Sequence, residues 1–165
     1  FILATAMTKQ IKQQIELTKE GLEELQIELS ELIDVKLPAV IVRVAIAREH
    51  GDLSENAEYH SARDDQQLLQ ARIDELQEIL NKAKVVKQTK SHSKVGVGSS
   101  VVVSKVGNKK ERTFKIVGEF EADPKSGKIS SVSPVGSALM GKKKGDKTVV
   151  RAPAGEIEYE IKKIN

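Results

Sequence analysis

Leucines spaced three and four residues apart dominate the early part of the chain. The steps are 3, 4 and 3 residues through Leu22, Leu25, Leu29 and Leu32, and the stripe continues through Leu37, Ile41 and Val44. This spacing is typical of the apolar seam of a coiled coil. It predicts one long amphipathic helix over residues 18–50, with Thr18 as its N-cap. Pro38 lacks a backbone N–H, so we expect a bend or brief interruption there.

A second helical pattern follows after a very short break. Its apolar positions step by 4, 3 and 4 residues through Leu69, Ile73, Leu76 and Leu80, within a run over residues 54–86. Only residues 50–53 separate the two runs, and Gly51 is well suited to end the first helix. Two long helices joined by so short a turn must lie antiparallel. The sequence therefore predicts a coiled-coil hairpin with arms of about 45 Å, at ~1.5 Å per residue.

The periodicity changes after residue 87. Residues 88–99 are rich in Ser, Lys and Gly and are interpreted as a linker and domain entry. Short strand-like runs follow at residues 100–106, 113–120, 129–132, 148–151 and 156–164. Ser133 and Pro134 are suited to begin a short helix, and Gly141 to end it. This part of the chain predicts a mostly antiparallel sheet with one small helix.

Together these patterns predict an α+β chain with two modules. The hairpin occupies residues 8–87 and the sheet domain residues 100–165, while residues 1–7 are interpreted as an additional N-terminal segment.

Net charge differs between the two modules. Residues 1–90 carry 12 Lys and Arg against 16 Asp and Glu, whereas residues 91–165 carry 15 Lys and Arg against 8 Asp and Glu. A polyanionic partner of the second module would explain this difference, and so would ordinary variation of surface charge. Charge alone leaves both explanations open.

Composition narrows the possible functions. The 165 residues contain no Cys, which excludes a disulfide scaffold, thiolate chemistry and a cysteine zinc site, and makes the cytoplasm the expected compartment. No apolar run is long enough to span a bilayer. With three Phe, two Tyr and no Trp, a base-stacking platform for single-stranded nucleic acid is not expected. The chain also lacks nucleophile and phosphate-loop motifs, and His50, His60 and His92 do not make a zinc site. A self-contained hydrolase or nucleotide enzyme is therefore not favoured.

The turn of the hairpin carries the most informative side chains. Asp52 and Glu55 lie three residues apart at the start of the predicted second helix. This spacing is that of a capping box, in which Asp52 caps the helix and Glu55 returns to its amide. Spacing alone favours the cap, whereas two carboxylates at the end of a stiff hairpin are also suited to bind Mg²⁺. They supply too few ligands alone, so a second protein and its substrate must supply the rest. The spacing is compatible with both interpretations.

The same turn carries a family resemblance. The string from residue 47 to residue 60, Ala-Arg-Glu-His-Gly-Asp-Leu-Ser-Glu-Asn-Ala-Glu-Tyr-His, resembles the tip of the bacterial Gre transcript-cleavage factors of the GreA type. Residues 129–134, 145–146 and 155–159 are similar to the C-terminal domain of that family. The resemblance implies that the sheet domain is FKBP-like and docks on bacterial RNA polymerase. It also implies that the hairpin of a monomer enters the secondary channel of a backtracked polymerase.

The resemblance further implies a division of chemical roles. Asp52 and Glu55 are expected to hold a Mg²⁺ jointly with the polymerase, which then cleaves the 3′ end of its nascent RNA, so the chain itself is not an enzyme. Leu53, Tyr59 and Arg63 occupy tip positions that orient the acids or contact polymerase and RNA, and Arg48 faces the RNA. Ordinary packing and surface charge would also explain the presence of Tyr59, Arg63 and Arg48 at these positions. The basic turn at residues 142–144 is either a solvated loop or a docking contact.

Three other functions share parts of this pattern. A channel-binding inhibitor of RNA polymerase would have the same fold with a different set of tip acids, whereas this chain keeps the cleavage-type pair. A peptidyl-prolyl isomerase would need a more aromatic pocket than residues 91–165 offer. A pure coiled-coil adaptor would leave outward-facing tip acids unexplained beyond capping.

Overall fold

The computed structural model describes residues 14–87 and 93–165. Two compact units are present: Glu23–Lys82 form one, and residues 14–22 with the described part of 83–165 form the other. The predicted segment 1–7, the start of the predicted linker and His92 lie outside the described residues. In the described ranges, no helix combines the length and apolar character needed to cross a membrane.

The first arm of the hairpin is helical from Lys19 to Glu49, in three segments. Helix α1 (Lys19–Glu31) is followed by a π-helical turn (Leu32–Lys36) and by helix α2 (Leu37–Glu49). The interruption predicted near Pro38 takes the form of this π turn, in which the Leu37 N–H donates to the Leu32 carbonyl. A wider turn accommodates a proline that has no N–H and whose ring would crowd a regular helix.

The π turn changes which residues of helix α2 face the second arm. Val44 and Ala47 are buried and Val40 is half-buried, whereas Ile41 is 47% exposed. The prediction of Ile41 as a seam residue was therefore wrong. Because a π turn contains more residues than an α turn, it rotates the faces of the helix that follows. Val40 takes the seam position that regular spacing gave to Ile41.

Helix α3 (Ala57–Lys82) forms the second arm and packs along the first. Of its predicted seam, Ile73 and Leu76 are buried, while Leu69 and Leu80 are half-buried. The helix begins at Ala57 and ends at Lys82, so the prediction of a helix over residues 54–86 was too long at both ends. Ion pairs also join the arms: Arg72 Nε lies 2.8 Å from Glu28 Oε1, and Arg43 Nη1 lies 2.8 Å from Asp65 Oδ2.

The second unit begins with a small parallel sheet of two strands, β1 (Ile15–Leu17) and β2 (Ala83–Val85). Strand β2 replaces the helical end that periodicity predicted. A buried carboxylate lies next to this sheet: Glu121 Oε2 accepts hydrogen bonds from the Thr18 N–H at 2.8 Å and the Gly118 N–H at 3.0 Å. Thr18 is the N-cap, as predicted, because its Oγ1 accepts from the Gly21 N–H at 3.0 Å.

A five-stranded sheet forms the rest of the second unit, in the order β5-β4-β3-β7-β6. All neighbours are antiparallel except β4 and β5. The strands are β3 (Ser100–Lys105), β4 (Glu111–Val117), β5 (Lys128–Ser130), β6 (Lys147–Ala152) and β7 (Gly155–Ile164). Its core contains Val101, Val103, Ile116, Leu139 and Ile161.

The short helix α4 (Pro134–Leu139) packs against this sheet. Its predicted N-cap is present, since Ser133 Oγ accepts from the Gly136 N–H at 3.1 Å. Gly141 follows the helix with φ of 73°, the left-handed conformation that glycine adopts at low cost. The predicted α+β fold is confirmed: a helical hairpin and a largely antiparallel sheet with one short helix.

Candidate functional site

The loop between the two arms is residues 50–56, and its first half ends helix α2. His50 closes the helix with an N–H that donates to the Ala47 carbonyl at 3.3 Å. Gly51 has φ of 115°, a conformation that residues with a Cβ rarely adopt. This glycine ends the first arm as the sequence predicted, and it directs the chain into the segment that carries the two acids.

Asp52 is exposed and held in a defined orientation. Its Oδ1 accepts hydrogen bonds from the Ser54 N–H at 3.0 Å and from the Ser54 hydroxyl at 2.8 Å. These bonds, first the backbone one and then the hydroxyl one, hold the pKa of Asp52 below its ordinary value. Asp52 is therefore a carboxylate at neutral pH, and Ser54 leaves its other oxygen available to a ligand.

Glu55 is also exposed, three residues further along the loop. Across the part of the chain that the structure describes, its carboxylate has neither a hydrogen-bond partner nor a cation within ion-pair distance. The position of this side chain therefore depends on the backbone that carries it. Together the two residues place two solvent-facing carboxylates on one loop at the end of the hairpin.

Asn56, not Asp52, caps the second arm. Asn56 Oδ1 accepts from the Tyr59 N–H at 3.0 Å, and its Nδ2 donates to the Ala47 carbonyl at 2.7 Å. The capping box at Asp52 and Glu55 is therefore wrong, because helix α3 begins four residues later than Asp52 would require. Sequence reasoning missed Asn56, although Asn ranks with Asp as an N-cap and could have been weighed as a competing start.

The structure brings three of the predicted supporting residues together. Arg63 Nη1 donates to the Tyr59 hydroxyl at 3.4 Å, and its guanidinium carbon lies 6.0 Å from the centre of the Tyr59 ring. The pKa of Tyr59 is lowered from its ordinary value, first by hydrogen bonding from Arg48 and then by the charges of Arg63 and Arg48. Two cations thus flank one phenol on the hairpin. Leu53 is half-buried in the loop, before Ser54.

The neighbouring histidines do not add to a metal site. His60 Nε2 lies 3.4 Å from the Ser54 carbonyl, and its ring packs edge-on against Tyr59 with centroids 5.6 Å apart. Over residues 14–87 and 93–165, no group of three or more His, Cys, Asp or Glu is arranged to hold a metal ion. Binding of Mg²⁺ by Asp52 and Glu55 stays a prediction.

The basic turn at residues 142–144 lies in the second unit, between helix α4 and strand β6. Its backbone is built into the domain, because the Lys142 carbonyl accepts from the Val95 N–H at 2.9 Å. The Lys143 N–H donates to Asp146 Oδ2 at 2.8 Å, while the side chain of Lys143 is exposed. Docking of this turn on a partner stays a prediction.

Comparison with known proteins matches both halves of the chain to one family. Residues 15–85 match the family model described as "Transcription elongation factor, N-terminal". Residues 90–165 match the model described as "Transcription elongation factor, GreA/GreB, C-term". The chain belongs to the GreA/GreB family of transcription elongation factors.

Individual members of the GreA/GreB family resemble the chain over nearly its whole length. "Transcription elongation factor GreA" of Hyphomonas neptunium is 47% identical over 92% of this chain and 98% of its own length. The protein of the same name from Pelobacter propionicus is 51% identical over 89% of this chain and 94% of its own. Among solved structures, GreA factor homolog 1 of Thermus thermophilus matches with a TM-score of 0.43 and 27% identity, over 92% of this chain and 99% of that one.

Proposed function

We propose that this chain stimulates the intrinsic RNA-cleaving activity of bacterial RNA polymerase. The hairpin enters the secondary channel of a backtracked polymerase, and the tip acids complete the site that hydrolyses the nascent RNA near its 3′ end. The polymerase performs the hydrolysis, and the chain acts as a cytoplasmic monomer that is not itself an enzyme. Cleavage leaves a new 3′ hydroxyl from which elongation resumes.

One observation carries this proposal. Two carboxylates, Asp52 and Glu55, face solvent on the loop that closes a long hairpin in a member of a transcription elongation factor family. Helix α3 alone has 26 residues, about 39 Å at ~1.5 Å per residue. A thin two-helix arm of this length is suited to carry charge into a channel too narrow for a globular domain. Neither acid is needed to cap the helix, because Asn56 does so.

The two carboxylates fit a shared Mg²⁺. This ion prefers oxygen ligands in an octahedron and is usually held by one or two carboxylates with water and phosphate oxygens. Asp52 and Glu55 would supply those carboxylates, and the polymerase and RNA the remaining ligands. A Mg²⁺ held there would supply Lewis-acid chemistry, by lowering the pKa of a bound water and offsetting negative charge on the phosphodiester. The free chain would bind the ion weakly, since two ligands are too few.

The residues of the chain prepare this site in specific ways. Ser54 orients Asp52 through two hydrogen bonds to Oδ1, which also lower the pKa of Asp52. Glu55 has no competing cation in the described residues and is free to turn toward the ion. The cationic pair Arg48 and Arg63 flanks Tyr59 and provides positive charge that an RNA phosphate would favour.

The proposal is tested with stalled, backtracked elongation complexes that carry RNA labelled at its 5′ end. Adding the protein should shorten the RNA from its 3′ end far faster than polymerase alone, and the shortened RNA should extend when nucleotides are supplied. The protein incubated with the same RNA without polymerase should leave it intact. Unchanged cleavage in the complete reaction would contradict the proposal. Suppressed elongation without cleavage would instead support the channel-binding inhibitor.

A further inference from the structure

The side chain of Asn56 spans the gap between the two helices that carry the tip loop. Its Nδ2 donates to the carbonyl of Ala47 in the last turn of helix α2, at 2.7 Å. Its Oδ1 accepts from the N–H of Tyr59 in the first turn of helix α3, at 3.0 Å. One amide thus bonds an end carbonyl of one arm, which also accepts from the His50 N–H at 3.3 Å, and an end N–H of the other.

This amide closes the loop at the two points where it leaves the helices. Ala47 is 1% exposed and Asn56 is half-buried, so the Nδ2 bond lies where water competes poorly. The closed segment contains both tip acids. Glu55 directly precedes Asn56, and consecutive Cα atoms lie only ~3.8 Å apart. Any shift of Asn56 is therefore transmitted to the backbone of Glu55.

The two acids depend on this closure to different degrees. The side chain of Asp52 is oriented locally, by the two hydrogen bonds that it accepts from Ser54. Glu55 has no side-chain partner of its own in the described residues, so its backbone alone sets the range that its carboxylate can reach. We propose that Asn56 is a positioning residue of the tip, whose bond to the Ala47 carbonyl holds Glu55 where it serves cleavage. This inference rests on the proposed function.

Two substitutions separate this bond from the helix cap. Asn56→Asp keeps the acceptor for the Tyr59 N–H, since Asp and Asn cap equally well, but replaces the Nδ2 donor with an oxygen that repels the Ala47 carbonyl. Asn56→Ser also keeps a capping oxygen and is too short to reach Ala47. Gln67→Glu is the matched control, because it makes the same amide-to-acid change at an exposed position of helix α3.

The experiment measures RNA cleavage in backtracked complexes against the concentration of each full-length variant, well below its melting temperature. For Asn56→Asp and Asn56→Ser, we expect the maximal rate at saturating protein to fall about 10- to 100-fold, as expected when a reacting group is misplaced by about 1 Å. The half-saturating concentration should stay close to the parental value. Gln67→Glu should match the parent in both quantities.

Several outcomes would overturn the positioning role. A parental maximal rate in both Asn56 variants shows that the bond to Ala47 is not needed. A loss that disappears when more protein is added shows that Asn56 only stabilises the fold.

Asp52→Asn and Glu55→Gln are measured in parallel, to distinguish failure of the positioning role from failure of the proposed function. If these two variants lose cleavage while the Asn56 variants do not, only the positioning role is wrong. If they cleave normally, the role of the tip acids is wrong and the positioning role fails with it, whereas a parent protein that stimulates no cleavage shows that the proposed function is wrong.

Discussion

Under the proposed function, the length of the hairpin determines where its acids act, and lengthening both arms tests this directly. Glu28 and Arg72 form an ion pair across the arms, so residues 22–28 lie opposite residues 72–78. Duplicating residues 22–28 after Glu28, and residues 72–78 before Arg72, adds one heptad to each arm. The leucine seam and the ion pair are repeated, and the tip loop is unchanged. The added length is about 10 Å, at ~1.5 Å per residue.

A displacement of this size should abolish stimulation while binding survives. Mg²⁺ accepts ligands only at about 2.0–2.1 Å, so a carboxylate moved by ~10 Å contributes nothing to its coordination. We expect cleavage to return to the rate of polymerase alone. The assay is a cleavage time course in backtracked complexes, together with a competition experiment in which the lengthened protein displaces the parent. A melting curve confirms that the longer hairpin folds.

The result that refutes this reasoning is parental cleavage by the lengthened protein. That result would mean that the acids do not need to lie at one fixed distance along the hairpin. It would also mean that docking of the second unit on the polymerase does not determine where the tip lies. Loss of both binding and cleavage would also contradict the prediction, because the added heptads leave the sheet domain untouched.

Three further predictions concern the tip and the base of the first arm. Asp52→Asn and Glu55→Gln should each lower stimulated cleavage at least ~100-fold without changing the melting temperature, and added Mg²⁺ should partly restore the rate. Ser54→Ala removes one of two bonds to Asp52 and should raise the pKa of that carboxyl toward its ordinary value, so the carboxylate protonates at higher pH in an NMR titration. Gly21→Ala places a Cβ 1.7 Å from Glu121 Oε1 and should cost about 1–3 kcal/mol in urea unfolding, whereas unchanged stability would show that the carboxylate moves without loss.

Periodicity predicted the elements of the fold where the determining signals are local. The leucine steps identified both arms, and Ser133 with Gly141 bounded helix α4 because capping chemistry depends on a few adjacent residues. Ile41 was misplaced because the π turn that rotates helix α2 has no simple signature in spacing. Strand β2 was missed because it pairs with β1, far away in sequence. Such pairing depends on tertiary context, which overrides local propensity.

The buried carboxylate of Glu121 is likewise placed by tertiary context. The sequence presents it as one acid among many, in a segment without a strong pattern. The structure places it beside the first turn of helix α1, where the Thr18 N–H donates to it. Negative charge is favourable at a helix N-terminus, and the hydrogen bonds compensate for burial. Glu121 is buried there only because two segments distant in sequence come together, so no local sequence pattern predicts its burial.

At the tip, the sequence alone identifies Asp52 and Glu55 as candidate residues, but the structure changes the interpretation of Asp52 as a helix cap. An N-cap carboxylate directs an oxygen at helix N–H groups, which would compete with a metal for Asp52. Asn56 supplies that oxygen instead, four residues later, through its bond to the Tyr59 N–H. Asp52 accepts only from Ser54, and Glu55 remains exposed without a side-chain partner in the described residues. The capping explanation for the pair is therefore removed: Asp52 orders the loop only through Ser54 and keeps its second oxygen exposed, and the carboxylate of Glu55 faces solvent.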